Sequence, residues 1–233
     1  MYTSSLLKAA IAGLVSTGAW ANEYPAFAEA MLVDGSDFGW EAIPVVSETG
    51  YETVLFRITD DETGAPLEDT KGPVLLLHGM FSSPEDWLKR SDIDAQSTAI
   101  QLALAGYDVW IGCTRGRPDT LGHTTLNPAE SAEDNKAYWD FSFEQVGNED
   151  VDSMIDMIIA ERHDSTCSKV TLVTHSSAAN SALALATNPE KNIAERVDRI
   201  VTLAPCLQLN IFEFWLPLKD LASVAAFYQI IDE

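Results

Sequence analysis

The sequence predicts an α/β fold, a mostly parallel sheet with helices on both faces. Three observations lead there. Short continuous apolar runs, typical of strands buried on both faces, alternate with helical stretches along the chain. That alternation implies right-handed crossovers, which make the strands parallel. The 233 residues, 46% hydrophobic and 21% charged, suit one domain with a full core.

The elements follow in order. Thr53 to Ile58 reads as a strand, and the turn-rich stretch from Asp60 to Gly72 leads into Pro73-Val74-Leu75-Leu76-Leu77, the first buried strand. A helix is expected from about Asp94 to Leu104, stopped by Gly106, and a second buried strand from Tyr107 to Gly112. Thr114 to Ala137 is a long polar loop, which in a compact domain marks either a functional loop or a flexible one. From Phe143 onward Val151, Met154, Ile155, Ile158 and Ile159 recur at three- and four-residue steps, so a helix lays one apolar face on the sheet. Lys169 to Val173 is the third buried strand, Ser177 to Ala186 an alanine-rich helix and Arg199 to Ala204 the fourth buried strand. No repeat, low-complexity tract or linker divides the chain.

With 36 acidic and 14 basic side chains the net charge is −22, so the chain repels a polyanion and nucleic acid is excluded as a partner. Residues 1–21 carry Lys8, a short apolar run and Ala19-Trp20-Ala21. That is the layout of a cleavable signal peptide cut after Ala21, and it implies a secreted or endolysosomal protein. Cys113, Cys167 and Cys206 lack zinc-ligand spacing, and Cys113 and Cys206 each end a strand-like run, as buried inert thiols do.

In such sheets reactive groups gather at the carboxyl ends of the strands. At the end of the third buried strand stands Thr174-His175-Ser176-Ser177-Ala178, leading at once into a helix. Strand, tight turn and helix resemble a nucleophile elbow, with Ser176 as the exposed serine. Read alone, Ser176 is also a plain helix N-cap. At the end of the first buried strand, Leu77-His78-Gly79-Met80 places a sharp turn whose following amide can face that serine. The backbone N–H groups of Met80 and Ser177 are thus the expected oxyanion donors.

Larger blocks carry a resemblance. Leu77-His78-Gly79-Met80 with Ser82-Ser83 and Trp87, Ala105 to Gly112 with Arg115-Gly116, and Tyr138 to Glu144 with Asp150 and Ile155-Asp156 resemble, collinearly, the acid lipases of the gastric and lysosomal type. The resemblance runs from about Tyr51 to Pro205. It implies an α/β-hydrolase fold, a lipid carboxylic ester as substrate (a triacylglycerol or steryl ester), no metal and no cofactor. It also implies serine nucleophilic catalysis by Ser176. Residues 22–206 are then the amino-terminal part of the hydrolase core and 207–233 the start of the cap. The chain departs from the family at Thr174 and Ala178, where glycine is usual, and at Ser177, where glutamine is usual.

A serine hydroxyl needs a positioned base, and in this fold the carboxylate and histidine follow the serine in the chain. The four histidines, His78, His123, His163 and His175, all precede Ser176. Three explanations are open: a chain that is part of a longer lipase, which is favoured, an inactive paralogue, or a site completed by another chain. The rival from another class is a catalytically inactive lipid-binding or interaction module. Leu207 to Ile231 carries only Glu213, Lys219 and Asp220 as charges and is expected to meet a lipid interface or membrane surface.

Overall fold

The computed structural model describes residues 21–34, 37–67, 71–90, 95–162 and 169–206. The expected signal segment apart from Ala21, His163, Cys167 and the stretch 207–233 lie outside the described residues.

Six strands form one sheet: β1 (Phe38–Val46), β2 (Glu52–Asp60), β3 (Pro73–Leu77), β4 (Asp108–Cys113), β5 (Val170–His175) and β6 (Val197–Leu203). Their order across the sheet is β1-β2-β4-β3-β5-β6. β1 pairs antiparallel with β2 and β2 antiparallel with β4, whereas β4, β3, β5 and β6 run parallel. The mostly parallel sheet inferred from sequence is therefore correct.

Alternate residues of each central strand enter different cores, as a period of two requires. Val74, Leu76, Val109 and Ile111 join one cluster, with Phe27 and Met31 of α1 (Pro25–Asp34) and Ala99 and Ile100 of α2 (Thr98–Leu104). Leu75, Leu77 and Trp110 join the other. There they meet Met154, Ile155 and Ile158 of α4 (Asp152–Glu161) and Ala178, Ala182 and Leu185 of α5 (Ala178–Thr187). Both faces are thus covered.

Several bounds differ from the sequence expectation. α2 begins at Thr98 rather than Asp94, because Ser97 caps it: its Oγ accepts from the Ile100 N–H at 3.4 Å. The polar loop after β4 is largely organised, holding a 3₁₀ turn at Pro118–Thr120 and α3 (Ala132–Tyr138). It is pinned where the Tyr138 hydroxyl donates to Thr120 O at 2.8 Å and the Tyr51 hydroxyl to Tyr138 O at 2.7 Å. β1 and α1 precede the first element that the sequence reading assigned. β1 carries Pro44, tolerated because β1 is an edge strand.

The helix expected from Phe143 is continuous but wider in the middle. One turn at Phe143–Gln145 passes into a π-helical stretch, Val146–Val151, and then into α4. Such stretches are frequent at functional sites. Here the cause of the close packing is visible: a Cβ on Gly147 meets the carbonyl oxygen of Ser181 at 2.1 Å, so α5 lies directly on the Gly147 backbone. Gly147→Ala is expected to cost about 1–3 kcal/mol through overpacking. Thermal unfolding followed by circular dichroism reads this as a lower Tm, and an unchanged Tm contradicts it.

Candidate active site

Three strands of the parallel part end in strained corners. Ser176, directly after β5, has φ of 55°; Phe81, four residues after β3, has φ of 60°; Ala204, directly after β6, has φ of 45°. Non-glycine residues enter this left-handed region only at a cost of about 1–3 kcal/mol, and such strain clusters at functional sites. The corner at Ser176 is held from several sides. Its N–H donates to Leu203 O at 3.0 Å, and its carbonyl accepts from the N–H groups of Ala179 at 3.2 Å and Cys206 at 3.3 Å. A serine serving only as an N-cap has extended backbone; Ser176 does not.

Thr174, where a glycine was anticipated by resemblance, fits because it is a strand residue with full burial, its hydroxyl pointing at Val201 O at 3.5 Å. Ala178 is likewise buried in the second core. Neither departure opens the corner. The turn after β3 closes onto it: a Cβ on Gly79 lies 2.9 Å from Ser176 Cβ and 3.1 Å from His175 O. Glycine is thus required where the two loops touch.

Met80 and Ser177 come together directly. The Met80 N–H donates to Ser177 Oγ at 2.5 Å. Among the described residues the Ser177 N–H has no hydrogen-bond acceptor. An open amide thus sits one residue from Ser176, beside a facing loop whose Met80 amide is bonded to the Ser177 hydroxyl.

The histidines do other work. His78 is buried, its Nδ1–H donates to Gly79 O at 2.9 Å, and its Nε2 accepts from the Thr114 N–H at 3.4 Å. Burial also lowers its pKa, so the ring is a neutral brace between the turn after β3 and the loop after β4. His123 accepts at Nδ1 from the N–H groups of Thr125 at 3.0 Å and Leu126 at 3.1 Å and stands edge-on to Tyr51. Among the described residues no hydrogen bond joins Ser176 to an imidazole. No group of three or more His, Cys, Asp or Glu among them is placed to hold a metal ion.

Beside this corner opens a cavity of about 490 Å³. Its lining includes Met80, Phe81, Trp139, Phe141, Phe143 and Val146, and it reaches Ser177, Ala178 and Ser181. One wall is fixed by Arg115, which donates from Nε and Nη2 to Asp150 Oδ1 at 2.9 and 2.6 Å and from its backbone N–H to Asp150 Oδ2 at 2.9 Å. Arg115 Nη2 also reaches Glu149 at 2.6 Å, and the guanidinium lies 3.5 Å from the centre of the Tyr51 ring. Burial acts to lower the Arg115 pKa, but the Asp150 and Glu149 carboxylates outweigh it and hold it raised. Sequence reasoning gave His78 and Asp150 no such roles. Both depend on partners 36 and 35 residues away, and the only sequence signal was their place in the collinear resemblance.

Comparison with known proteins agrees with this architecture. Residues 74–231 match the model of the alpha/beta hydrolase family. Mouse lipase member K is 29% identical over 195 residues, 83% of this chain and 46% of its own. Rat gastric triacylglycerol lipase is 28% identical over 184 residues, 78% of this chain and 43% of its own. The chain therefore spans less than half the length of these lipases. An esterase from Pyrococcus furiosus shares the fold with a TM-score of 0.51 at 13% identity, over 83% of this chain and 62% of its own. The chain belongs to the alpha/beta hydrolase family, with acid lipases among its relatives.

Proposed function

We propose that the protein hydrolyses carboxylic esters of lipids, triacylglycerols or steryl esters, through an acyl intermediate on Ser176. The observation that carries this reading is the left-handed corner at Ser176, φ 55°, against which the Gly79–Met80 turn packs. Strain held at the end of a strand, with a glycine turn packed against it, is what a nucleophile elbow builds in. The Ser176 oxygen attacks the acyl carbon, and the oxygen on which charge develops lies between the two loops that carry the Ser177 and Met80 amides. The acyl chain lies in the aromatic cavity beside them. The names of the lipase relatives support a lipid ester as substrate.

The general base and its carboxylate come, in this proposal, from outside the described residues, as fits a chain whose match covers 46% of one relative's length. The 1–21 layout supports secretion or endolysosomal delivery, and the apolar stretch 207–231 is the part that meets a lipid interface. Expressed alone, residues 22–233 are expected to turn over a medium-chain p-nitrophenyl ester no faster than buffer, whereas the full-length gene product hydrolyses it. Lipase-like rates from the shorter chain contradict the need for an outside base.

A second reading, a catalytically inactive lipid-binding module, draws on the lack of an imidazole bonded to Ser176 among the described residues. It predicts that the full-length product binds a fatty acid in the cavity and hydrolyses nothing.

A further inference from the structure

The side chain of Ser177 carries an inference that rests on the ester-hydrolase reading and goes beyond its two backbone donors. Ser177 directly precedes α5, where a serine ordinarily caps the helix, yet its hydroxyl makes no bond to the helix amides. It turns the other way, across to the opposite loop, and accepts the Met80 N–H at 2.5 Å. A hydroxyl has one proton to give. Among the described residues no acceptor takes it, and Ser177 lines the cavity. The Met80 amide, aimed by the Gly79 turn, is therefore already engaged, and what stands next to the open Ser177 N–H is the Ser177 hydroxyl itself.

We infer that Ser177 Oγ–H is a direct oxyanion donor, and that the Met80 amide acts through it by fixing and polarising the hydroxyl. In the first step the Ser176 oxygen bonds to the acyl carbon and its proton passes to an imidazole base. The carbonyl π pair moves onto the acyl oxygen, which accepts from Ser177 N–H and Ser177 Oγ–H. On collapse that pair returns, the bond to the leaving alcohol breaks, and the imidazolium gives the alcohol its proton. A hydroxyl that already accepts from an amide is a stronger donor than an isolated one, because bonds in a chain polarise one another. Both donors sit on one residue, next in sequence to the attacking serine, so their spacing to the acyl oxygen is set by the corner itself.

The test uses the full-length gene product with Ser177→Ala and Ser177→Thr. It measures kcat and KM on p-nitrophenyl octanoate, together with binding of an alkyl boronic acid by calorimetry and ¹¹B resonance. The boronic acid accepts the Ser176 lone pair at boron and reports the tetrahedral state without turnover. Loss of one preorganised donor costs roughly 10²–10³ in kcat. Because Ser177→Ala also uncovers the Met80 amide, the expected loss is about 10- to 100-fold in kcat with KM unchanged, and boronate affinity falls by a similar factor. Ser177→Thr keeps the hydroxyl and recovers most of both. If Ser177→Ala hydrolyses and binds boronate as well as the parent or better, the hydroxyl is an obstruction on the Met80 amide and the inference is wrong. It is equally wrong if Ser177→Thr, melting at the parent temperature, is as impaired as Ser177→Ala. If the parent shows neither hydrolysis nor a tetrahedral boron signal, the ester-hydrolase reading itself falls, and this inference with it.

Discussion

Ser176→Ala in the full-length gene product lowers kcat/KM on a medium-chain ester by about 10⁴-fold or more, leaving only background hydrolysis. The loss is that large because covalent attack has no substitute in this reading: His78 is fixed between Gly79 and Thr114, and His123 is bound into its own turn. The fold is expected to persist, since alanine occupies the corner with less bulk and the bonds that hold it, to Leu203, Ala179 and Cys206, are all backbone bonds. Parallel measurement of Tm and of fatty-acid binding separates lost chemistry from lost structure. A variant that keeps more than a tenth of the parent rate contradicts the assignment.

Asp150→Ala is expected to be the most destabilising of the substitutions considered, at about 3–5 kcal/mol, because it strands a buried cation. The Arg115 side chain is only 1% exposed and Asp150 not at all, so water cannot take the carboxylate's place. Glu149 and the Tyr51 ring remain beside the guanidinium, which keeps the effect within that range. The site is affected as well, because Arg115 lines the cavity and its backbone amide is tied to Asp150. Urea unfolding followed by tryptophan fluorescence measures the loss. A change below about 1 kcal/mol, the scale of an exposed pair, contradicts the buried-pair account.

How far the sequence reveals the fold depends on where each element's stabilisation comes from. β3 and β4 are readable because both their faces are buried, which forces uninterrupted apolar runs such as Pro73–Leu77, and β5, with one face only half-buried, is readable from Val170, Leu172 and Val173. β1 is obscured by Gly39 and Pro44, and α1 commits only Phe27 and Met31 fully to the core, too few for a periodic signal. The π-helical stretch has no sequence signature of its own; Gly147 acquires its meaning only against Ser181.

The site is legible to a similar depth. A strand, a turn and small residues bring Ser176, Met80 and Ser177 forward as candidates, since that pattern is local to two strand ends, and the collinear resemblance adds the rest. The bond from Met80 N–H to Ser177 Oγ is not legible, because it depends on a rotamer choice between loops 97 residues apart. The aromatic wall from Trp139 to Phe143 is similar, because the loop that holds it is anchored by Tyr51 and Tyr138 through backbone carbonyls.

The most direct measurement is a crystal structure of the full-length gene product after reaction with a long-chain alkyl phosphonate. The account predicts density continuous from Ser176 Oγ to phosphorus, the phosphoryl oxygen between residues 80 and 177 at about 3 Å from the Ser177 nitrogen, and the alkyl chain against Trp139 and Phe143. Phosphorus on another side chain, or an oxygen turned away from both loops, contradicts it.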